Sequence, residues 1–351
     1  MNFPKSTMNS AKVAQLAGVS RSTVSKVINN YPDIPEKTRN KVLAVINDNK
    51  YIPNTSAQIL KGKAQTVLAL YIYNTKSNDP GSDFIDGAAS PYIMRVIASF
   101  LMAANAQGYR LMIEHIQEGE VVDEDLIQKI RSHFLSQSIS AAVIVGLTED
   151  AGFIDKLADE NFPIAVIDRV TTGGNLIRNI LTDDENGSYK ATQHLIEQGF
   201  SQIAFVSGNS NKLSSKKRLK GYTRALEYNQ LSPILVVDIY SEYTKKSGYL
   251  SADHILSMEP RPDAIVCASD SLAYGLIQRL HEVDEQYLSK VGIIGFDDSF
   301  FNEYQRPALS SVKVNFNSMA SITVNALLHP DINFDLSIAT ELVIRDSSVQ
   351  R

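Results

Sequence analysis

Residues 10–29, SAKVAQLAGVSRSTVSKVIN, read as two short helices joined by a tight corner. Ser10 is a residue type that caps helices, and Val13, Ala14, Leu16 and Ala17 follow it at helical spacing. Gly18 falls where the first helix must stop and turn, a place that favours positive φ. Ser20 is placed to cap the second helix, whose inward face would be Val24, Val27 and Ile28. Arg21, Ser22, Ser25, Lys26 and Asn29 are then left pointing outward. They are donors and small hydroxyls without a carboxylate, which suits a helix that reads base edges in the major groove. Taken alone, the stretch could also be an ordinary helical hairpin inside a core.

Charge separates the two readings. The chain has 351 residues and a net charge of −5, yet its first 63 residues hold ten Lys and Arg against three acids. The other 288 residues hold 24 bases against 36 acids. A basic head on an acidic body suits a part that sits on phosphate while the rest avoids it. The length is ample for two or three domains, and 44% hydrophobic with 21% charged residues is a soluble globular composition. A single cysteine, Cys267, excludes an intrachain disulfide and a thiolate-rich metal site, and it points to a reducing compartment. The opening MNFPKSTMNS lacks the apolar run of a secretory signal, and no apolar run approaches the length of a bilayer span. A cytoplasmic protein is expected, with no membrane partner.

Beyond the corner, Tyr31-Pro32-Asp33-Ile34-Pro35 is a turn, and Pro35 fits the entry of a third helix running from Glu36 to Asn49. That helix turns Val42, Leu43, Val45 and Ile46 toward the hairpin. Thr38, Arg39 and Lys41 near its start are candidate phosphate contacts. Asn54 can cap a brief helix from Thr55 to Lys61 that stops at Gly62 and is too short to hold by itself. It would form only against DNA or a second copy of the chain.

From Thr66 onward the pattern alternates between strands and helices. Strands are expected at 67–73, 111–115, 142–145, 164–167, 203–206, 234–238, 264–267 and 291–294. Helices are expected at 92–106, 124–137, 188–198, 217–228 and 272–281. Short apolar strands separated by helices imply a parallel sheet covered on both faces. The spacing falls into two sets around an irregular passage at 171–184, which favours two open lobes over a closed barrel. In such sheets a ligand sits beyond the C-terminal strand ends. The residues there are Asn74, Asp168-Arg169, Gly208, Ser269-Asp270 and Gly295-Phe296-Asp297-Asp298, a set able to hydrogen-bond a hydroxyl-rich molecule. Each could singly be only a turn or capping residue.

Catalytic signatures are missing. Gly62-Lys63 lacks the rest of a P-loop, and there is no GxSxG elbow and no GxGxxG after a strand. The six histidines are scattered without an HxxxH or HExxH pair, so neither a metal nor another cofactor is expected.

The head, VAQLAGVSRSTVSKVINN with IPEKTRNKVLAVINDNKYIPN and AQILKGK, resembles the lactose/galactose-repressor family of bacterial transcription regulators. The body carries that family's landmarks in order: SPYIMRVIASFLMAANAQGYRLMI, AVIDR ending at Arg169, ENGSYKATQHLIEQGFSQIAFVSG, RLKGYTRAL, PDAIVCASDSLAYGL and VGIIGFDD. The resemblance implies an all-α three-helix helix-turn-helix head at 1–53 and a hinge helix and linker at 54–65. A periplasmic-binding-protein-like α/β sensor at 66–351 would follow, with two doubly wound parallel-sheet lobes. The N-lobe would comprise 66–180 and 316–330, and the C-lobe 181–315 and 331–351. It implies operator contacts from Ser20, Arg21, Ser22, Ser25, Lys26, Asn29, Thr38 and Arg39, with Leu60 wedged into the minor groove beside Ala57. The position of Lys26 is usually Arg in the family. Lysine cannot make the planar two-bond contact with guanine, so a departure from the usual half-site is expected.

In the sensor, Asp168, Arg218, Ser269 and Asp297 match effector-holding positions, and Asp270 is the adjacent acid. The body has no Trp, so stacking on a sugar ring would fall to Phe84, Tyr92 or Phe296. The family's tetramerising heptad tail is missing after the ELVIRDSS strand, which gives the expectation of a homodimer. The expected function is a repressor controlled by a small polar effector, most simply a sugar. The competing readings are a transporter solute-binding protein, which calls for a signal peptide and no basic head, and an effector-regulated enzyme, which calls for a nucleophile–base pair.

Overall fold

A computed structural model describes residues 9–28, 31, 33–49, 51, 66–74, 90–117, 123–136, 138–158, 160, 162–171, 176–236, 242–329 and 336–350. The expected helix at 55–61 lies outside these residues, as do Asn29, Ala57, Leu60 and Phe84.

Three helices make the head: α1 (Ser10–Ala17), α2 (Arg21–Ile28) and α3 (Glu36–Asp48). Val13, Ala14 and Ala17 of α1 meet Val24, Val27 and Ile28 of α2 and Val42 and Ile46 of α3 in a small closed core. Gly18 makes the corner at φ +59°, and the amide of Val19 closes it on the carbonyl of Ala14 at 3.0 Å. One capping expectation is corrected. Asn9, not Ser10, caps α1, accepting from the Lys12 amide at 3.0 Å. Ser10 has moved into the helix, where its hydroxyl accepts from Arg21 at 3.2 Å. Leu16, placed on the apolar face by spacing, is 47% exposed, because the eight-residue helix is covered along one side only.

The body holds two six-stranded sheets. In the first, β1 (Val67–Asn74), β2 (Arg110–Gln117), β3 (Ala141–Val145), β4 (Ile164–Ile167), β5 (Ile177–Thr182) and β11 (Leu336–Ile338) lie in the order β11-β5-β4-β3-β1-β2, all parallel. Alternate residues of β1 go to opposite faces. Leu68, Leu70 and Ile72 meet α4 (Pro91–Ala106) through Val96 and Phe100, while Val67, Ala69 and Tyr71 share a core with Ile130 and Phe134 of α5 (Asp123–Leu135) and with α6 (Phe153–Ala158).

The second sheet runs β12-β10-β9-β8-β6-β7. Its strands are β6 (Ile203–Val206), β7 (Ile234–Val236), β8 (Ala264–Cys267), β9 (Gly292–Asp297), β10 (Ser310–Val314) and β12 (Thr340–Val343). They are flanked by α7 (Asp184–Glu197), α8 (Leu213–Tyr228), α9 (Lys245–Leu256) and α10 (Asp270–Val283). β12 is an antiparallel edge on β10, so this lobe is not purely parallel.

The lobe boundaries also need correction. The chain crosses from β5 into α7 at Asp183 and returns from β10 into α11 (Phe316–Leu328), which packs on α4. It then enters β11 in the first sheet before crossing finally at Ala339. Residues 336–338 therefore belong to the N-lobe, not the C-lobe. The passage at 171–184 contains β5, whose IRNILT pattern includes a buried arginine and asparagine and so carries no clean apolar run.

Candidate functional site

On the head, Arg21, Ser22, Ser25 and Lys26 are all exposed on one side of α2, while Val24, Val27 and Ile28 are turned inward. Ser20 caps α2 by accepting from the Thr23 amide at 3.0 Å, which fixes the angle at which the helix leaves the corner. Arg39 of α3 donates to the Tyr31 carbonyl at 2.6 Å, and Thr38 lies beside it, partly buried. Sequence reasoning missed Asp33. Its carboxylate accepts from the Lys26 ammonium at 2.6 Å, with both side chains about half exposed. That pairing raises the Lys26 pKa and lowers that of Asp33.

The second cluster lies where the C-terminal strand ends of both lobes face each other. α7 and α8 cross very closely because Gly221 has no side chain: a Cβ there would overlap the backbone carbonyl of Glu185. This approach carries Arg218 of α8 to the start of α7, where its Nε donates to Asp184 at 2.8 Å. The Arg218 Nη1 donates to the Ala268 carbonyl at 2.6 Å, and the guanidinium carbon stands 3.7 Å from the centre of the Phe296 ring. Asp297, at the end of β9, is 3.7 Å from that same Nη1 and only 6% exposed, and its Oδ1 makes no hydrogen bond. Across the gap, Asp168 follows β4 and accepts from the Thr182 amide at 3.0 Å. Tyr92 of α4 approaches from the N-lobe and packs edge-on against Phe316. Asp168 and Asp297 hold φ of +54° and +108°, a conformation unusual outside glycine.

One guanidinium thus faces two buried carboxyl groups, Asp184 and Asp297, with the half-buried Asp168 across the gap. Burial pushes Asp297 well above the usual carboxylate range against the pull of Arg218, with the neighbouring aspartates adding to it. Asp168 is raised by burial and opposed by the Thr182 amide, and Asp184 is pushed up to about 7 by burial despite Arg218. Burial works against the charge of Arg218, but Asp184 and Asp297 outweigh it and hold its pKa above the ordinary value. Burial likewise raises the Tyr92 phenol, with Asp168 and Asp297 beside it.

Of the expected effector residues, Tyr92, Asp168, Arg218 and Asp297 come together. Ser269 is buried next to Ala268, whose carbonyl holds Arg218, and its hydroxyl caps α10 by accepting from the Leu272 amide at 3.3 Å. Asp270 does not join the group, and Phe296 meets it only through Arg218. Asp270 points into the C-lobe, accepting from the Ser299 amide at 2.7 Å, Asn302 at 2.9 Å and Ser311 at 2.6 Å. Phe296 is fully covered and serves as the plate under Arg218 rather than an open stacking surface. Successive residues of a strand face opposite sides, so Phe296 and Asp297 could not both open to the cleft from a regular β9. Two members were not anticipated. Asp184 was concealed in the passage taken as irregular. Tyr243 precedes α9 with no pattern to mark it, yet its ring centre stands 6.0 Å from the Arg218 guanidinium carbon.

Contacts across the gap hold the lobes together. The Glu149 amide donates to the Asn211 carbonyl at 2.8 Å, and its carboxylate pairs with Lys216. Arg95 donates to the Asp298 carbonyl at 2.9 Å, and within the C-lobe the Asp298 carboxylate pairs with Arg345 at 2.8 Å.

A pH dependence follows. Asp184 and Asp270 both rise from 3.8 to about 7 on folding, so between these values the folded chain holds protons that the unfolded chain has released. Stability then falls as pH rises through that window and levels off above it. Calorimetry is expected to give a higher Tm near about pH 5.5 than near about pH 8, and Asp184→Asn should shrink the difference. An equal or reversed order would contradict the assignment.

Among the described residues, no group of three or more His, Cys, Asp or Glu could hold a metal ion, and no helix is long and apolar enough to cross a membrane. Comparison with known proteins matches residues 11–54 to the lacI family of bacterial regulatory proteins and residues 192–348 to a periplasmic binding protein-like domain. The HTH-type transcriptional repressor PurR of Vibrio atlanticus (strain LGP32) is 31% identical, over 86% of this chain and 85% of its own length. The probable HTH-type transcriptional repressor ExuR of Bacillus subtilis (strain 168) is 26% identical over 95% of this chain and 96% of its own. Among solved structures, the lac repressor dimer bound to operator and the anti-inducer ONPF has a TM-score of 0.68 at 23% identity, covering 98% of this chain and 100% of that one. The transcriptional regulator CelR–cellobiose complex also has a TM-score of 0.68, at 22% identity over 97% and 99% of the two chains.

Proposed function

The chain belongs to the lacI family of bacterial regulatory proteins, and from that premise we propose that it is a cytoplasmic, non-enzymatic transcriptional repressor. Arg21, Ser22, Ser25, Lys26 and Asn29 read the operator while Ser20, Thr38 and Arg39 seat the head on phosphates. Ala57 and Leu60 of the hinge segment engage the minor groove. The effector is a small hydroxylated molecule, most simply a sugar, held by Asp168, Arg218 and Asp297 under Tyr92, with Ser269 next to Ala268. The carrying observation is Oδ1 of Asp297, buried beside Arg218 yet making no hydrogen bond, which a ligand hydroxyl would satisfy. Binding there shifts the lobes and, through them, the spacing of two hinge segments in a dimer. The exposed Met94, Leu101 and Met102 of α4 support self-association, since an apolar helix face this open gains by being covered. The bound sugar of the CelR relative supports the effector class.

The decisive experiment selects duplexes from a random pool with the full-length protein and repeats the binding measurement across a panel of sugars and nucleosides. A pseudo-palindromic site whose affinity changes with one of them is expected. Duplex affinity that survives removal of residues 1–65, or that no small molecule alters, would reject the proposal. A smaller effect tests the head. Asp33→Asn frees Lys26 from its exposed partner and is expected to tighten operator binding about 3- to 10-fold at low salt, as one added net positive charge should. Fluorescence anisotropy at fixed ionic strength reads it, and unchanged affinity would place Lys26 away from the DNA.

A further inference from the structure

We propose that the effector carries a protonated amine, so that the cleft selects an amino sugar over its neutral and acidic counterparts. This rests on the cleft being the effector site proposed above, and it adds the charge of the ligand. The choice is set by which carboxylate Arg218 serves. Its Nε donates to Asp184 at 2.8 Å, and its Nη1 is committed to the Ala268 carbonyl at 2.6 Å. Asp297 stands 3.7 Å from that Nη1, beyond hydrogen-bond reach, with Oδ1 unbonded and the residue 6% exposed.

The single charge of Arg218 is therefore matched first by Asp184, which is buried with it. Asp297 and the half-buried Asp168 are left with less than a full partner. Lys217 also acts on Asp168 and Asp184, but more weakly than Arg218 does. The aromatic walls bring no positive charge, and burial raises the phenols of Tyr92 and Tyr243, which keeps them neutral. Asp168 acts on Asp297, and both act on the Tyr92 phenol, so a single ligand group beside Tyr92 feels both carboxyls.

Surplus negative charge in a buried place is relieved either by a proton or by a cation. Burial, with Asp270, Asp184 and Asp168 adding to it, favours the proton on Asp297 against the pull of Arg218. A ligand hydroxyl fills the hydrogen bond missing at Oδ1 but brings no charge, so the proton has to stay. An ammonium group supplies both, with three donors and a full positive charge, and it takes the place of that proton. A sugar bearing a carboxylate adds to the surplus instead and is disfavoured.

The test uses the full-length protein and titration calorimetry near about pH 6.5, where an amine of ordinary pKa is protonated. Glucosamine, galactosamine and mannosamine are each compared with the parent hexose, and galacturonate serves as the anionic probe. At least one amino sugar is expected to saturate below about 1 mM and to bind at least about 10-fold more tightly than its parent, with galacturonate weakest. Asp297→Asn should bring that amine and its parent within about 3-fold of each other. Asp184→Asn, which releases Arg218, should weaken the amine at least about 5-fold and strengthen galacturonate. The comparison within each sugar pair uses the unaltered chain, so it decides the matter even where a variant unfolds. A hexose or galacturonate that binds as tightly as the amine, or an amine preference that survives Asp297→Asn, would overturn the proposal and leave the cleft as the effector site. Saturation by none of these sugars up to about 10 mM would overturn it together with the sugar reading.

Discussion

Arg218→Met is expected to destabilise the body by about 3–5 kcal/mol, the cost of leaving buried charge without its partner. The residue is 4% exposed and faces Asp184 and Asp297, both buried with it. Without the guanidinium, the aspartates must stay protonated or repel one another, and the Ala268 carbonyl loses its donor. The double variant Arg218→Met/Asp184→Asn removes the stranded carboxylate as well, so it should recover part of the loss, and urea unfolding of both variants gives the coupling directly. A double variant less stable than the single would mean that packing over Phe296, rather than charge, accounts for the role of Arg218. Effector response should be lost in both variants, because the cleft would lose the guanidinium that lies between Asp184 and Asp297.

Gly275→Val should be comparably damaging for a steric reason. α9 and α10 pack so closely that a Cβ at Gly275 would overlap the Lys245 carbonyl and come within 2.6 Å of the Tyr249 amide nitrogen. Backbone on a packed helix cannot yield as a flexible side chain can, so a loss of at least about 3 kcal/mol is expected. In a body of this size that lowers Tm by at least about 5 °C, read by calorimetry. Gly152→Ala is the control. Its φ is ordinary and its nearest contact is the Asp150 carbonyl at 3.9 Å, so the midpoint should hardly move. A Gly275→Val protein of parental stability would mean that α9 and α10 do not pack this closely at Gly275.

The legible parts of the molecule are those whose signal is local. The head could be read because α1 and α2 each bury one helical stripe, and because a glycine corner and a serine cap punctuate them within twenty residues. Strands such as Ile164–Ile167 and Ala264–Cys267 were legible as short apolar runs, since a parallel strand is covered on both faces. β5, with buried Arg178 and Asn179, and the three-residue β11 gave no such signal. The final lobe crossing was misplaced for that reason.

The sequence alone determined that carboxylates and glycines cluster after the strand ends, because those residues form turns and caps whatever lies opposite them. It could not determine which of them share a space. Asp270 and Asp297 are both acids at strand ends, yet one is saturated by Ser299, Asn302 and Ser311 inside its lobe while the other faces Arg218 with an oxygen to spare. Asp184 and Tyr243 entered the cleft only through the close crossing of α7 on α8 and the position of the loop before α9. Alternation along a strand sets which way a side chain points, but the partner it meets is brought by elements tens of residues away. Only their packing decides whether a buried charge is satisfied or left for a ligand.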